Sequence, residues 1–321
     1  TMFYFLDSSF GPLDGLGIFY AYTQYGNLPL TQLMSVFGIW GLVFLLSWFA
    51  SCINWAWDRG FEWNQVRKGL VIFFSVVALV FMYGGARISP FFYPRGDMVR
   101  VAAITFLPDP QKAEASIEKV LKQKLYSPFE ETVSKIEQLT RQAALGGAKI
   151  VVWQEFAMLT NEANQASFLE AVQRMARENA IYLAISYAVL PQKGKGENRC
   201  VLINDKGHVE VNYLKHNLVV GESYFMKKGP GGLSVVDTPY GRIGVTICRD
   251  LEFPAYVREA GRKKADIVLS PAFDFPKGIT PSNTYSQMLR TIENGFSLVR
   301  AVSNGLSVAV DYHGRILSSM N

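Results

Sequence analysis

The chain has 321 residues, of which 49% are hydrophobic and only 18% charged, with a formal net charge of +5. That balance is too apolar for an ordinary soluble enzyme, and it holds no long Lys/Arg tract or motif that would make nucleic acid a partner. Three cysteines (Cys52, Cys200, Cys248), no Cys-x-x-Cys and three scattered histidines (His208, His216, His313) argue against a disulfide framework and a zinc site, and imply neither a metal nor a cofactor.

The apolar excess is concentrated in residues 1–93, which we read as a membrane domain, whereas residues 94–321 have the composition of a globular domain. The chain opens at Thr1 in aromatic, apolar sequence, as though partway through a membrane domain, and Thr1–Tyr25 reads as a partial span plus a loop. Leu33–Trp57 carries no charge over about 25 residues, enough to cross a hydrocarbon core of roughly 30 Å. Leu70–Ala86 is a second, shorter span. The connecting loop Asp58–Gly69 carries Arg59, Arg67 and Lys68, which by the positive-inside rule predicts a cytoplasmic loop. Everything after Arg87 is then expected on the extracytoplasmic side, with Arg95 and Arg100 weakening the asymmetry.

In the globular part, Met98–Phe106 alternates like a first strand and Ser127–Ala144 is an amphipathic helix closed by Gly146-Gly147. Lys149–Trp153 reads as a buried strand, Asn164–Glu178 as a helix and Ile181–Leu190 as a strand. Cys200–Ile203 and His208–Leu214 flank the turn Asp205-Lys206-Gly207, a hairpin signal. Strands are expected at Leu233–Asp237, Ile243–Ile247, Ala265–Ser270, Ser297–Val302 and Ser307–Val310, with a helix at Asn283–Glu293. Hairpins interrupting an alternation of strands and helices favour a mixed-sheet, layered α/β domain over a doubly wound one.

Three polar residues follow strands. Glu155 comes after Ile150-Val151-Val152-Trp153, Lys215 after Val209–Leu214, and Cys248 after a β-branched run. Pro254 opens the helix that follows the cysteine, so the stretch reads as strand, sharp elbow, helix, with backbone N–H groups near the sulfur favouring thiolate. The plain structural alternatives are a loop carboxylate, a solvated lysine and a buried core cysteine. Together they form a coherent chemistry. A cysteine attacks a carbonyl once a base takes its proton, and an ammonium stabilises the oxyanion.

The motifs Val152-Trp153-Gln154-Glu155, Tyr213-Leu214-Lys215-His216-Asn217-Leu218 through Gly221-Glu222, and Gly244-Val245-Thr246-Ile247-Cys248 resemble the nitrilase (carbon–nitrogen hydrolase) superfamily. The resemblance implies an αββα sandwich with Glu155 as base, Lys215 as oxyanion stabiliser, Cys248 as nucleophile and Glu222 as an auxiliary acid. Tyr22-Thr23-Gln24-Tyr25-Gly26-Asn27, Gly38-Ile39-Trp40-Gly41, and Glu293-Asn294-Gly295 through Arg300, Asn304 and Gly305 are similar to the membrane-bound N-acyltransferase branch. That branch implies transfer of a fatty acyl group from a phospholipid, through a cysteine thioester, to the N-terminal amine of a diacylglyceryl-cysteine lipoprotein. It also implies further segments at both ends of the chain, and a bacterial inner membrane. Where the branch has an aromatic residue and a glutamate after the cysteine, this chain has Arg249-Asp250, closer to the soluble amidases. Asp250 is expected to do the glutamate's work and Arg249 to reshape the pocket wall; Ala272–Pro276 also departs from the branch. The alternative expectation is a membrane-tethered carbon–nitrogen hydrolase passing the acyl group to water.

Overall fold

Apolar side chains recur almost without break from Met34 to Trp57, and this stretch forms one long helix, α1 (Met34–Trp57), followed by α2 (Trp63–Arg87). The computed structural model describes residues 20–90, 97–106, 123–274 and 282–321. Most of the expected Thr1–Tyr25 span lies outside these residues, as do Arg95, Phe275 and Pro276. At about 1.5 Å per residue α2 is roughly 37 Å long, and the part of α1 beyond Gly38 roughly 28 Å. Both are long and apolar enough to cross a membrane. A core helix of a soluble protein would bury its large side chains; here Phe44, Phe49, Trp57, Ile72, Phe74, Leu79 and Met82 are exposed.

The second span was expected to start at Leu70, but α2 begins at Trp63 and takes Arg67 and Lys68 into its first turns. Arg and Lys are good helix formers, so the helix runs past the apolar stretch, and the connection shrinks to residues 58–62. Gly38 interrupts α1 at φ +62°, ψ −167°, a region open essentially to glycine. The break frees the Ile39 N–H, which donates to Glu293 Oε1 at 2.6 Å.

The globular part carries β1 (Val101–Ile104), α3 (Phe129–Leu145), β2 (Ile150–Trp153), β3 (Met158–Thr160), α4 (Glu162–Glu178), β4 (Tyr182–Val189), β5 (Glu197–Ile203) and β6 (Val209–Leu214). Then come β7 (Ser234–Thr238), β8 (Gly241–Val245), α5 (Pro254–Arg262), β9 (Ile267–Phe273), α6 (Ser282–Asn294), β10 (Ser297–Ser303), β11 (Ser307–Val310) and β12 (Ile316–Met320). One six-stranded sheet runs β1-β2-β4-β5-β6 with β3 beside β4, and the other runs β12-β11-β10-β9-β8-β7. In the first sheet the parallel strands β1, β2 and β4 lie on one side and antiparallel β5 and β6 extend it on the other. In the second, parallel β8, β9 and β10 hold the middle and antiparallel β7 and β11 flank them.

The period of two along a strand sorts its side chains between two cores. Ile150, Val152, Tyr182, Ala184, Cys200 and Leu202 face β8, β9 and β10 of the other sheet. Val151, Trp153, Leu183, Ile185, Val201 and Ile203 alternate with them and pack on α3 and α4. On the second sheet, α6 sets Met288 against Val308 and Val310, and α5 adds Val257 and Ala260. This is the layered αββα sandwich the motifs implied.

The helical part and the sandwich share α6. Leu289 and Ile292 join a cluster with Leu30, Met34, Ile39, Leu42 and Phe73. Gln32 donates to the His313 carbonyl at 2.9 Å and accepts from Arg87 Nε at 3.0 Å.

Candidate active site

Parallel strands leave their C-terminal ends along one rim of each sheet, and the chain places its reactive groups there. Glu155 follows β2, is 1% exposed, and its N–H bonds to the Ala272 carbonyl at the end of β9. Lys215 follows β6 and is likewise 1% exposed, so neither an exposed loop acid nor a solvated lysine is what the fold makes of them. Lys215 Nζ donates to Glu155 Oε1 at 2.8 Å and to Glu222 Oε2 at 3.0 Å. Asn198, at the start of β5, repeats that bridge with a neutral group: its Nδ2 donates to Glu155 Oε1 at 2.7 Å and to Glu222 Oε1 at 3.1 Å. Glu222 is further anchored by the Val219 N–H at 2.8 Å.

Burial pushes the Glu155 carboxyl above its usual range, the Glu222 charge adds to this, and Lys215 opposes it. Glu222 is also penalised by burial, yet Lys215, the Val219 N–H and Asn198 bring it below the ordinary value. For Lys215, burial would lower the ammonium, but Glu155, Glu222 and the Cys248 sulfur hold it well above the usual amine. The lysine is therefore a fixed cation between two buried carboxyl groups.

Cys248 sits two residues past the Thr246 that follows β8, at φ +45°, a conformation that costs a non-glycine residue energy and that surrounding contacts must impose. Asp250 supplies them. Its carboxylate accepts from the Ile247 N–H (2.9 Å), the Asn217 N–H (2.9 Å), Asn217 Nδ2 (3.1 Å) and the Tyr213 hydroxyl (2.7 Å). Asp250 thus braces the cysteine elbow against the Tyr213–Asn217 segment that carries Lys215. Arg249 turns the other way: it donates to the Leu218 carbonyl, pairs with Glu252 at 3.5 Å and lies over the Phe253 ring.

The Cys248 thiol is withdrawn from water. Cys248 is 4% exposed, and its thiol donates to the Phe273 carbonyl at 3.7 Å. Burial pushes the thiol well above its ordinary value, the Glu155 charge adds to this, and Lys215 and Arg300 only partly offset it. Desolvation is the largest of these effects on the sulfur.

A carbon-nitrogen hydrolase family model matches residues 119–321. The chain belongs to the carbon-nitrogen hydrolase family. Among its relatives in that family, an apolipoprotein N-acyltransferase from Geobacter metallireducens is 27% identical over 92% of this chain and 60% of its own length. A nitrilase from Pyrococcus abyssi is 26% identical over 57% of this chain and 73% of its own length. Among solved structures, an amidase from Nesterenkonia has the same carbon-nitrogen hydrolase fold, with a TM-score of 0.56 at 20% identity over 71% of this chain and 88% of that one. A Glu-to-Gln mutant of the same amidase has the acetamide moiety of fluoroacetamide added covalently at its active-site cysteine, with a TM-score of 0.58 at 20% identity over 71% and 88% of the two chains. The chain spans about 60% of the length of the N-acyltransferases it matches.

Sequence reading had overlooked Asn198, which lies in the polar run Glu197-Asn198-Arg199 and carries no motif of its own. Tyr213 had been quoted only as part of a motif, without its role as a hydroxyl partner of Asp250.

Proposed function

We propose that this chain carries a membrane-bound N-acyltransferase site, with residues 1–93 as membrane domain and 94–321 as catalytic domain. The substrates are a phospholipid acyl donor and a lipoprotein acceptor bearing a diacylglyceryl-cysteine N-terminus. The observation that carries this reading is a lysine bracketed by two buried carboxylates beside a strained, buried cysteine, on a body that also turns the apolar faces of two long helices outward. The similarity to N-acyltransferases supports it, because 92% of the chain is more than the matched catalytic domain can hold. The nitrilase and citrullinase matches cover 57% and 44% of the chain.

In this reading Glu155 takes the proton as the Cys248 sulfur attacks the donor's ester carbonyl. The new C–S bond leaves an oxyanion that the Lys215 ammonium stabilises. The intermediate collapses by breaking the ester C–O bond, Glu155 returns the proton to the leaving alkoxide, and a thioester remains on Cys248. The acceptor amine then attacks that thioester, gives its proton to Glu155, and the sulfur leaves to be protonated again. Glu222 and Asn198 keep Lys215 and Glu155 in register throughout. The site faces the extracytoplasmic side of a bacterial inner membrane, where both substrates are found.

A tethered hydrolase is the second reading, favoured by Arg249-Asp250 after the cysteine. The two part at the acceptor step. Protein in detergent is charged with phospholipid and then given a diacylglyceryl-cysteine peptide. N-acylated peptide is the expected product; free fatty acid at the same rate with and without peptide would favour the hydrolase.

A further inference from the structure

A second buried ion pair borders Cys248. Arg300 on β10 is fully buried and grips Asp274 with both arms of its guanidinium, Nη2 to Oδ1 at 2.7 Å and Nη1 to Oδ2 at 3.0 Å. Its remaining bonds run to α6, with Nη1 to Thr284 Oγ1 at 2.6 Å and Nε to Gln287 Oε1 at 2.8 Å. Asp274 is held again by Asn283 Nδ2 at 2.9 Å and, through its own N–H, by the Ser303 carbonyl at 3.0 Å.

What the pair fixes is the end of β9. The carbonyl of Phe273, the residue before Asp274, accepts from the Cys248 thiol, and the carbonyl before it, on Ala272, accepts from the Glu155 N–H at 3.3 Å. One dipeptide thus touches both the sulfur and the residue that would deprotonate it. An apolar pair of similar volume would fill such a space at no loss of stability, so packing alone does not account for two buried charges here. A bidentate pair differs from an apolar one in fixing direction.

We propose that Asp274 and Arg300 are positioning residues for acyl transfer: they fix the end of β9, and through it the separation of Glu155 from Cys248. The inference rests on Cys248 being the nucleophile. The charged groups acting on that sulfur are Glu155 after β2, Lys215 after β6, Asp274 after β9 and Arg300 on β10.

The test is the pH profile of Cys248 alkylation by iodoacetamide, read by mass spectrometry on the Cys248 peptide of the intact chain in detergent. It needs no acyl substrate, so it is independent of the proposed reaction. Arg300→Gln removes a cation and should raise the midpoint; Asp274→Asn removes an anion and should lower it. Each shift should change the labelling rate below the midpoint about tenfold, in opposite directions. Unmoved midpoints, or two shifts of the same sign as a merely loosened site would give, overturn the proposal. Arg300→Lys keeps the charge and loses the fork, so it guards against a Gln variant that does not fold. It should leave the midpoint near wild type and lower kcat for transfer with KM unchanged. A wild-type kcat would overturn the positioning role, whereas transfer surviving in Cys248→Ala would instead overturn the nucleophile assignment.

Discussion

Lys215 Nζ lies 2.8 Å from Glu155 Oε1 and 3.0 Å from Glu222 Oε2, with all three side chains withdrawn from water. Breaking such a cluster by removing the lysine would leave two carboxylates facing each other unpaired, so Lys215 cannot be judged by rate alone. Lys215→Met is expected to lower the rate of thioester formation on the order of 10²-fold or more, the scale of losing an oxyanion donor. Single-turnover acylation, with the folded state checked by thermal melting, measures it. A near-normal rate in a folded variant would remove Lys215 from the mechanism.

Glu252 gives a pH prediction. Burial pushes its carboxyl up to about 7, against the opposing charges of Arg249, Arg300 and Lys215 and with Asp274 adding to the rise. In the unfolded chain the same group titrates at about 4.3. The folded state therefore keeps a proton that the unfolded state loses, and the associated stability, present below about pH 4.3, is lost as pH rises through 7. Glu252→Gln removes that dependence. The melting temperature of the variant, compared with wild type, should improve between pH 5 and about pH 7 and level off above it; a difference that does not change with pH would contradict the assignment.

Gly84 and Gly85 are neighbours in α2 with opposite surroundings. A Cβ on Gly84 would stand 1.8 Å from the Pro29 carbonyl oxygen, whereas one on Gly85 meets nothing within 4 Å. Gly84→Ala must push α2 off the one-turn helix Leu28–Thr31 that precedes α1 and should destabilise by on the order of 1–3 kcal/mol. Gly85→Ala should melt at or slightly above wild type, since alanine is the better helix former by about 1 kcal/mol. Equal melting of the two variants would mean that α2 does not pack on that turn.

How far the sequence could be read follows from where each signal lies. Glu155, Lys215 and Cys248 were legible because each follows closely on a stretch that reads as a strand, where the sheet's rim can present a polar side chain. The long helices were legible because charge is absent from Leu33–Trp57 and Leu70–Ala86. Short or polar strands were not: β3 has three residues, and β12, Ile-Leu-Ser-Ser-Met, is exposed throughout and carries no alternation. Asp250 was expected to stand in for a catalytic glutamate, and the geometry shows its carboxylate tying the elbow to the Lys215 segment, a role that depends on Asn217 and Tyr213 arriving from a distant strand. The elbow at Cys248 is local and visible in sequence, while its burial depends on the packing of the whole fold and is not.

The measurement that bears most directly on the account is intact-protein mass spectrometry of the chain in detergent after incubation with phospholipid, run beside Cys248→Ala. The account predicts one fatty-acyl mass on the wild-type protein, removed by hydroxylamine and mapped to the Cys248 peptide, with no adduct on the alanine variant. An adduct of the same mass that persists in Cys248→Ala would contradict the thioester on Cys248, and a wild-type protein that stays unmodified while releasing fatty acid would contradict acyl transfer in favour of hydrolysis.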